Sequence, residues 1–137
     1  MTDDREMRKK AEQTIHAFDS MIERAPTAVP QMLVALDFAL SKPKQIVLAG
    51  KLDGQDTAAM LKTVHGHYLP NRIILLADGG EGQRFLGQRV SLISEMKMIG
   101  DRATAYVCEN FTCHLPTNDL RKFESLLAPD GTAKPAP

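Results

Sequence analysis

The stretch Gln45-Ile46-Val47-Leu48-Ala49-Gly50 is a short, unbroken, apolar run halted by a glycine, and its reading decides the fold class. A strand with one wet face alternates apolar and polar residues. A run without alternation has both faces covered, which is the pattern of parallel strands laid between helices. Two further runs repeat the grammar. Arg72-Ile73-Ile74-Leu75-Leu76-Ala77-Asp78 stops at Gly79-Gly80, and Ala103-Thr104-Ala105-Tyr106-Val107-Cys108 closes on Glu109-Asn110. The intervening segments carry helical spacing. Asp56 is placed to cap a helix with Met60, Leu61, Val64 and Tyr68 on one side, closed by Pro70-Asn71. Phe85, Leu86, Val90, Leu92, Ile93, Met96 and Ile99 give a second helical stretch before Gly100-Asp101. Gly87 weakens its first turns by about 1 kcal/mol relative to alanine. Thr117 or Asn118 is read as the cap of a last helix that turns Leu120, Phe123, Leu126 and Leu127 inward.

Upstream of the first strand, Met7, Ala11, Ile15, Phe18, Ile22 and Ala25 recur every three or four positions, which predicts a helix over 4–25. Pro26 ends it and Pro30 opens the next, where the missing N–H costs nothing. That second helix, 30–41, is apolar nearly all round, with Asp37 its only charge. Such a helix has to be covered on more than one side. The expected covers are the first helix and the sheet; left bare, it would offer an apolar patch for a homodimer. The predicted order is ααβαβαβα. It describes an α/β domain over 44–128, with a small three-stranded parallel sheet and helices on both faces. A helical lead-in precedes it over 1–43, and a tail over 129–137 is too poor in apolar residues to fold.

At 137 residues and 43% hydrophobic, the chain has the size of one ordinary domain with a real core. Seventeen basic residues balance seventeen acidic ones, which argues against nucleic acid or an anionic membrane as partner. Met1-Thr2-Asp3-Asp4-Arg5-Glu6 has no apolar stretch behind it, so no signal peptide is expected. No window approaches the length of apolar chain that spans a bilayer. Two cysteines and seven methionines suit a reducing compartment, and a cytoplasmic location is expected.

Ligands of open α/β sheets sit outside the carboxyl ends of the strands. Three loops would lie there: 50–54, 78–82 and 108–110. A site for a nucleotide or sugar would draw on Asp53, Asp78, Gly79 and Asn110. The first loop lacks both the Gly-x-Gly-x-x-Gly spacing and the Lys-Ser/Thr of a phosphate loop, so plain turn chemistry is the competing reading. Cys108-Glu109-Asn110-Phe111-Thr112-Cys113-His114 is the sharpest local feature. Its spacer is longer than that of a dithiol oxidoreductase. Small buried thiols are the favoured reading, with a redox-sensing disulfide and a zinc site using His114 as alternatives. Zinc is short of ligands, because His65 and His67 are expected at the opposite edge of the sheet and His16 lies on the lead-in helix. No metal and no cofactor are therefore expected. No serine has the Gly-x-Ser-x-Gly context of a nucleophile elbow. No catalytic residue is assigned, and the chain alone is not expected to be an enzyme.

Several stretches form a recognisable set: 30–40 (Pro30 to Leu40), 43–50 (Pro43 to Gly50), Tyr68-Leu69-Pro70-Asn71, 103–113 (Ala103 to Cys113) and Pro116-Thr117. Over about residues 20–128 the chain resembles the carboxyl-terminal portion of the thioredoxin-domain-containing family related to spermatogenesis-associated protein 20. The resemblance implies a fragment of a longer protein, with a thioredoxin-like domain followed by a helical (α/α) toroid, both serving as its partners. The lead-in helices would then be the end of that toroid. Only Cys108 and Cys113 match family cysteines here, so no redox or carbohydrate activity is carried over. The function implied is that of a non-catalytic structural or interaction module.

Overall fold

A computed structural model describes residues 4–109 and 112–128. The tail expected over 129–137 lies outside them, as does Asn110. At the centre stands β1 (Lys44–Ala49), flanked on one side by β2 (Arg72–Ala77) in parallel register, from Lys44 opposite Arg72 to Ala49 opposite Ala77. Its other neighbour, β3 (Thr104–Glu109), runs the opposite way, with Ala49 facing Thr104 and Gln45 facing Cys108. A two-residue strand, β4 (Thr112–Cys113), adds antiparallel to β3, so the sheet order is β2-β1-β3-β4. The expected three-stranded parallel sheet is therefore wrong. The sheet is mixed, four-stranded, and has one parallel pair.

The cause lies between β2 and β3. A single helix from 85 to 99 would run the length of the sheet, at about 1.5 Å per residue, and deliver the chain to the far edge for a parallel strand. Two short helices stand there instead, α5 (Glu81–Gly87) and α6 (Ser91–Glu95) in chain order after α4 (Gln55–His65), and they fold back on each other. The chain returns to the edge it left. Gly87 makes the fold-back possible, because a Cβ there would collide with the Ser94 hydroxyl. Gly100 (φ 61°) and Asp101 (φ 54°), both left-handed, then turn the chain into β3.

Alternate residues of β1 feed two separate cores, which is why the run shows no polar positions. Ile46 and Leu48 join Ala105 and Val107 beneath α4 and α7 (Leu120–Leu127), against Met60, Val64, Phe123 and Leu127. Val47 and Ala49 join Ala77, Ile93 and Met96 on the face covered by α5 and α6. Leu61 and Tyr68, expected to face inward, are exposed.

Two caps differ from expectation. Asp119, not Thr117 or Asn118, caps α7: its Oδ1 accepts the Arg121 and Lys122 N–H groups at 2.8 and 3.0 Å. The Lys122 N–H leads in holding that carboxyl below its ordinary range. Thr117 instead pairs with Ala105 as an isolated bridge on β3. Gly54 occupies the cap position of α4. Asp56, one turn position further in, accepts the Ala103 N–H at 2.6 Å and the Thr57 N–H at 2.9 Å. The Ala103 contact is the chief reason its carboxyl sits below the ordinary value of 3.8, and it ties the first turn of α4 to the residue before β3.

The lead-in is α1 (Arg5–His16), α2 (Asp19–Arg24), a 3₁₀ turn at Pro26–Ala28 and α3 (Pro30–Leu40). The single helix expected over 4–25 breaks at Ala17-Phe18, where His16 Nδ1 and Asp19 Oδ2 meet at 3.1 Å across the gap. Pro30 opens α3 at its first position. No residue of α1, α2 or α3 is buried. The sheet does not cover α3: Val34 is 63% and Leu40 78% exposed. One hydrogen bond, from Asn71 Nδ2 to Asp37 Oδ2 at 2.9 Å, joins α3 to the residue before β2. Among the described residues no helix is long and apolar enough to cross a membrane.

Candidate functional site

Reversing β3 divides the expected site between two edges. Asp53, Asp78 and Gly79 follow the ends of β1 and β2, at the edge where β3 begins. Cys108 and Glu109 end β3 at the other edge, opposite the start of β1. Asn110 lies outside the described residues, so of the expected ligand set only Asp53, Asp78 and Gly79 can be placed.

At the first edge, Asp78 Oδ1 accepts the Gly80 N–H at 2.8 Å, an aspartate turn of the ordinary kind. Gly79 takes φ 76°, which only glycine adopts at no cost, and donates its N–H to Gln83 Oε1 at 2.6 Å. Gln83 is buried. Its Nε2 also donates to the carbonyls of Ile93 at 2.7 Å and Met96 at 3.0 Å. One side chain thus fixes the turn, α5 and the end of α6 to one another. Tyr106 on β3 fixes the next residue along: its hydroxyl donates to the Lys97 carbonyl at 2.7 Å and accepts the Lys97 N–H at 3.3 Å. Between these clamps lies a cavity of about 520 Å³, lined by Gly79, Arg84, Gly87, Gln88, Ser94 and Lys97 beside Gln83. Of the described residues expected to bind a ligand, only Gly79 reaches it. Asp53 and Asp78 do not line it. Arg84, Ser94 and Lys97 escaped the sequence reading because they converge only once α5 and α6 fold back.

At the second edge, Cys108 and Cys113 face each other across β3 and β4 and are joined by a disulfide, with α-carbons 3.9 Å apart. The neighbouring His114 N–H donates to the Val107 carbonyl at 2.9 Å. The cysteines therefore occupy the pair without ladder hydrogen bonds, where facing side chains approach closest. Small buried thiols are thus the wrong reading: Cys108 is buried and Cys113 exposed, and their sulfurs are bonded to each other. The argument offered against zinc also fails as stated. His65 and His67 close α4 on the way to the start of β2, which is the edge that holds the cysteines. The bond between the sulfurs is what removes them as thiolate ligands. Among the described residues, no three histidine, cysteine or acidic side chains gather to hold a metal.

Lys44, unremarked in the sequence, organises this edge. Its ammonium donates to the carbonyls of Leu126 at 3.0 Å and Ala128 at 2.7 Å, at the end of α7. It also lies 3.9 Å from Glu109 Oε2, with the two side chains only 10% and 16% exposed. A cation suits this place, since the last carbonyls of a helix carry its partial negative charge.

The class so defined is a small α/β domain on a mixed sheet, with a disulfide joining two strands at one edge and a cavity at the other. Three relatives place it. Spermatogenesis-associated protein 20 of Homo sapiens is 39% identical over 113 residues, covering 82% of this chain. Its counterparts in Rattus norvegicus and Mus musculus are 38% and 37% identical over 111 residues, covering 81%. The chain belongs to the spermatogenesis-associated protein 20 family and spans 14% of the length of each of these relatives. No family model matches the chain. No solved structure matches it.

Proposed function

We propose that the chain is a non-catalytic structural and interaction module of a larger spermatogenesis-associated protein 20-like protein. It would pack through α3 against that protein's helical toroid, as a carboxyl-terminal domain. The observation that carries the reading is α3 itself, a helix with one charged residue and no buried one. Exposing Val34, Phe38 and Leu40 to water forfeits roughly 1.5–3 kcal/mol per side chain relative to full burial. A surface so disposed is built to be covered. The small fraction of the relatives' length that the chain spans supports a covering partner within the same polypeptide.

The test supplies the preceding toroid segment as a separate chain and measures association by calorimetry. Val34→Glu with Leu40→Glu is expected to abolish a complex that the unaltered chain forms, while leaving its own unfolding midpoint unchanged. Absence of any complex, or a complex indifferent to the two glutamates, defeats the reading. A homodimer by light scattering that the same substitutions dissolve would transfer α3 to a second copy of the chain instead.

The bonded, half-exposed cysteine pair favours a second reading, redox sensing by Cys108 and Cys113. A dithiol reductant would pass two electrons and two protons to the bond, giving two thiols and its own disulfide, and would release β4 from β3. Alkylation followed by mass spectrometry is expected to count no free thiols under mild oxidant and two after reduction. Two free thiols throughout would end this reading.

A further inference from the structure

We propose that the cavity between α5, α6 and the end of β2 is a binding site for a small phosphate ester. The ligand's chemistry follows from what faces it. Arg84 on α5 and Lys97 just beyond α6 both line the cavity, together with Gln88 and Ser94. All four carry N–H or O–H donors. Two of them are cations. Gly79 supplies wall without a side chain and with open space beside it, so a ligand can come close to the backbone there. Among the described residues no carboxylate lines the cavity. Glu81 lies 3.8 Å from Arg84, and both ends of that pair are widely exposed, so it holds the guanidinium weakly.

Two cations with two further donors and no described carboxylate in the lining fit an anionic group rich in acceptor oxygens, and a phosphate presents more of them than a carboxylate. The volume exceeds what phosphate alone would fill and falls within the range of small-molecule pockets, leaving room for an organic body. The walls are also held from behind. Gln83 spends its whole amide on Gly79, Ile93 and Met96, and Tyr106 grips Lys97 by both backbone groups. Together they fix the backbone that carries Gly79 and Lys97.

This site shares only Gly79 with the aspartate-based site expected from the sequence, and it is independent of what covers α3. The experiment titrates the isotope-labelled chain with adenosine monophosphate and with glycerol phosphate, and reads backbone amide shifts by nuclear magnetic resonance. Adenosine and glycerol serve as uncharged controls. At least one ester is expected to shift Gly79, Gly87, Ser94 and Lys97 saturably, with the controls about ten-fold weaker or silent. The pair Arg84→Ala and Lys97→Ala replaces two exposed side chains and should weaken binding about ten-fold or more with the fold unchanged. No saturable shift from either ester, equal shifts from the controls, or shifts that map elsewhere would overturn the assignment. So would binding that survives the double substitution.

Discussion

Gln83→Leu is expected to lower the unfolding free energy by about 3 kcal/mol, read as a fall in the urea midpoint at constant slope. Leucine fills nearly the same volume, so the loss is not a packing loss. It comes from two backbone groups left without partners, the Gly79 N–H and the Met96 carbonyl, and from an Ile93 carbonyl left with only the Met96 N–H at 3.3 Å. Each orphaned buried group costs roughly 1–3 kcal/mol. The Gly79 end borders an open cavity where water can replace the lost oxygen, so the total falls short of two full penalties. Gln83→Glu separates the two halves of the clamp. It keeps an oxygen for Gly79 but sets a carboxylate against the two carbonyls, and should cost more than leucine does. A leucine variant within about 0.5 kcal/mol of the parent would mean that α5 and α6 are held by apolar contact alone. Because Ile93 and Met96 belong to the core on this face, the glutamine links the candidate pocket to global stability.

The same region explains what the sequence could and could not disclose. Ile46 to Ala49 announced a strand covered on both faces, and the two cores that share its alternate residues bear that out. Burial, however, is blind to direction. Thr104 to Glu109 is as thoroughly buried antiparallel as it would be parallel, so the run itself carried no sign of its reversal. The sign was Gly87. Its cost to a helix was visible; the compensating approach of Ser94 was not, since it requires knowing that the helix is two. Misplacing β3 then put Cys108 at the wrong edge of the sheet. Asp53, Asp78 and Gly79 were rightly put after β1 and β2, but the Cys108–Asn110 segment was put with them on the assumption of a common direction. The strand pair at the other edge was legible only as proximity of two cysteines. In α3 the pattern was read correctly and its consequence was not: an apolar helix predicts a cover without saying that the cover lies in the same stretch of chain.

Lys44→Met should cost about 3 kcal/mol, and the loss should be concentrated in α7. The ammonium donates to the Leu126 and Ala128 carbonyls, two of the groups that a helix end leaves unpaired. Methionine keeps most of the apolar stem but donates nothing. It also leaves the Glu109 carboxylate, 16% exposed, without the cation beside it. A double substitution distinguishes these two contributions. At 3.9 Å the pairing with Glu109 is long, so Glu109→Gln alone should cost under about 1 kcal/mol. Adding it to Lys44→Met should recover roughly 1 kcal/mol, because a neutral amide tolerates that partly buried place better than an unpaired charge. The remaining loss belongs to the helix end. Since Phe123 and Leu127 on α7 are fully buried in the core it shares with α4, loosening its last turn should propagate inward. Hydrogen exchange should therefore quicken along α7 and at Val107 before it does in β2. Uniform acceleration across the sheet would instead make Lys44 an ordinary surface cation and the helix end self-sufficient.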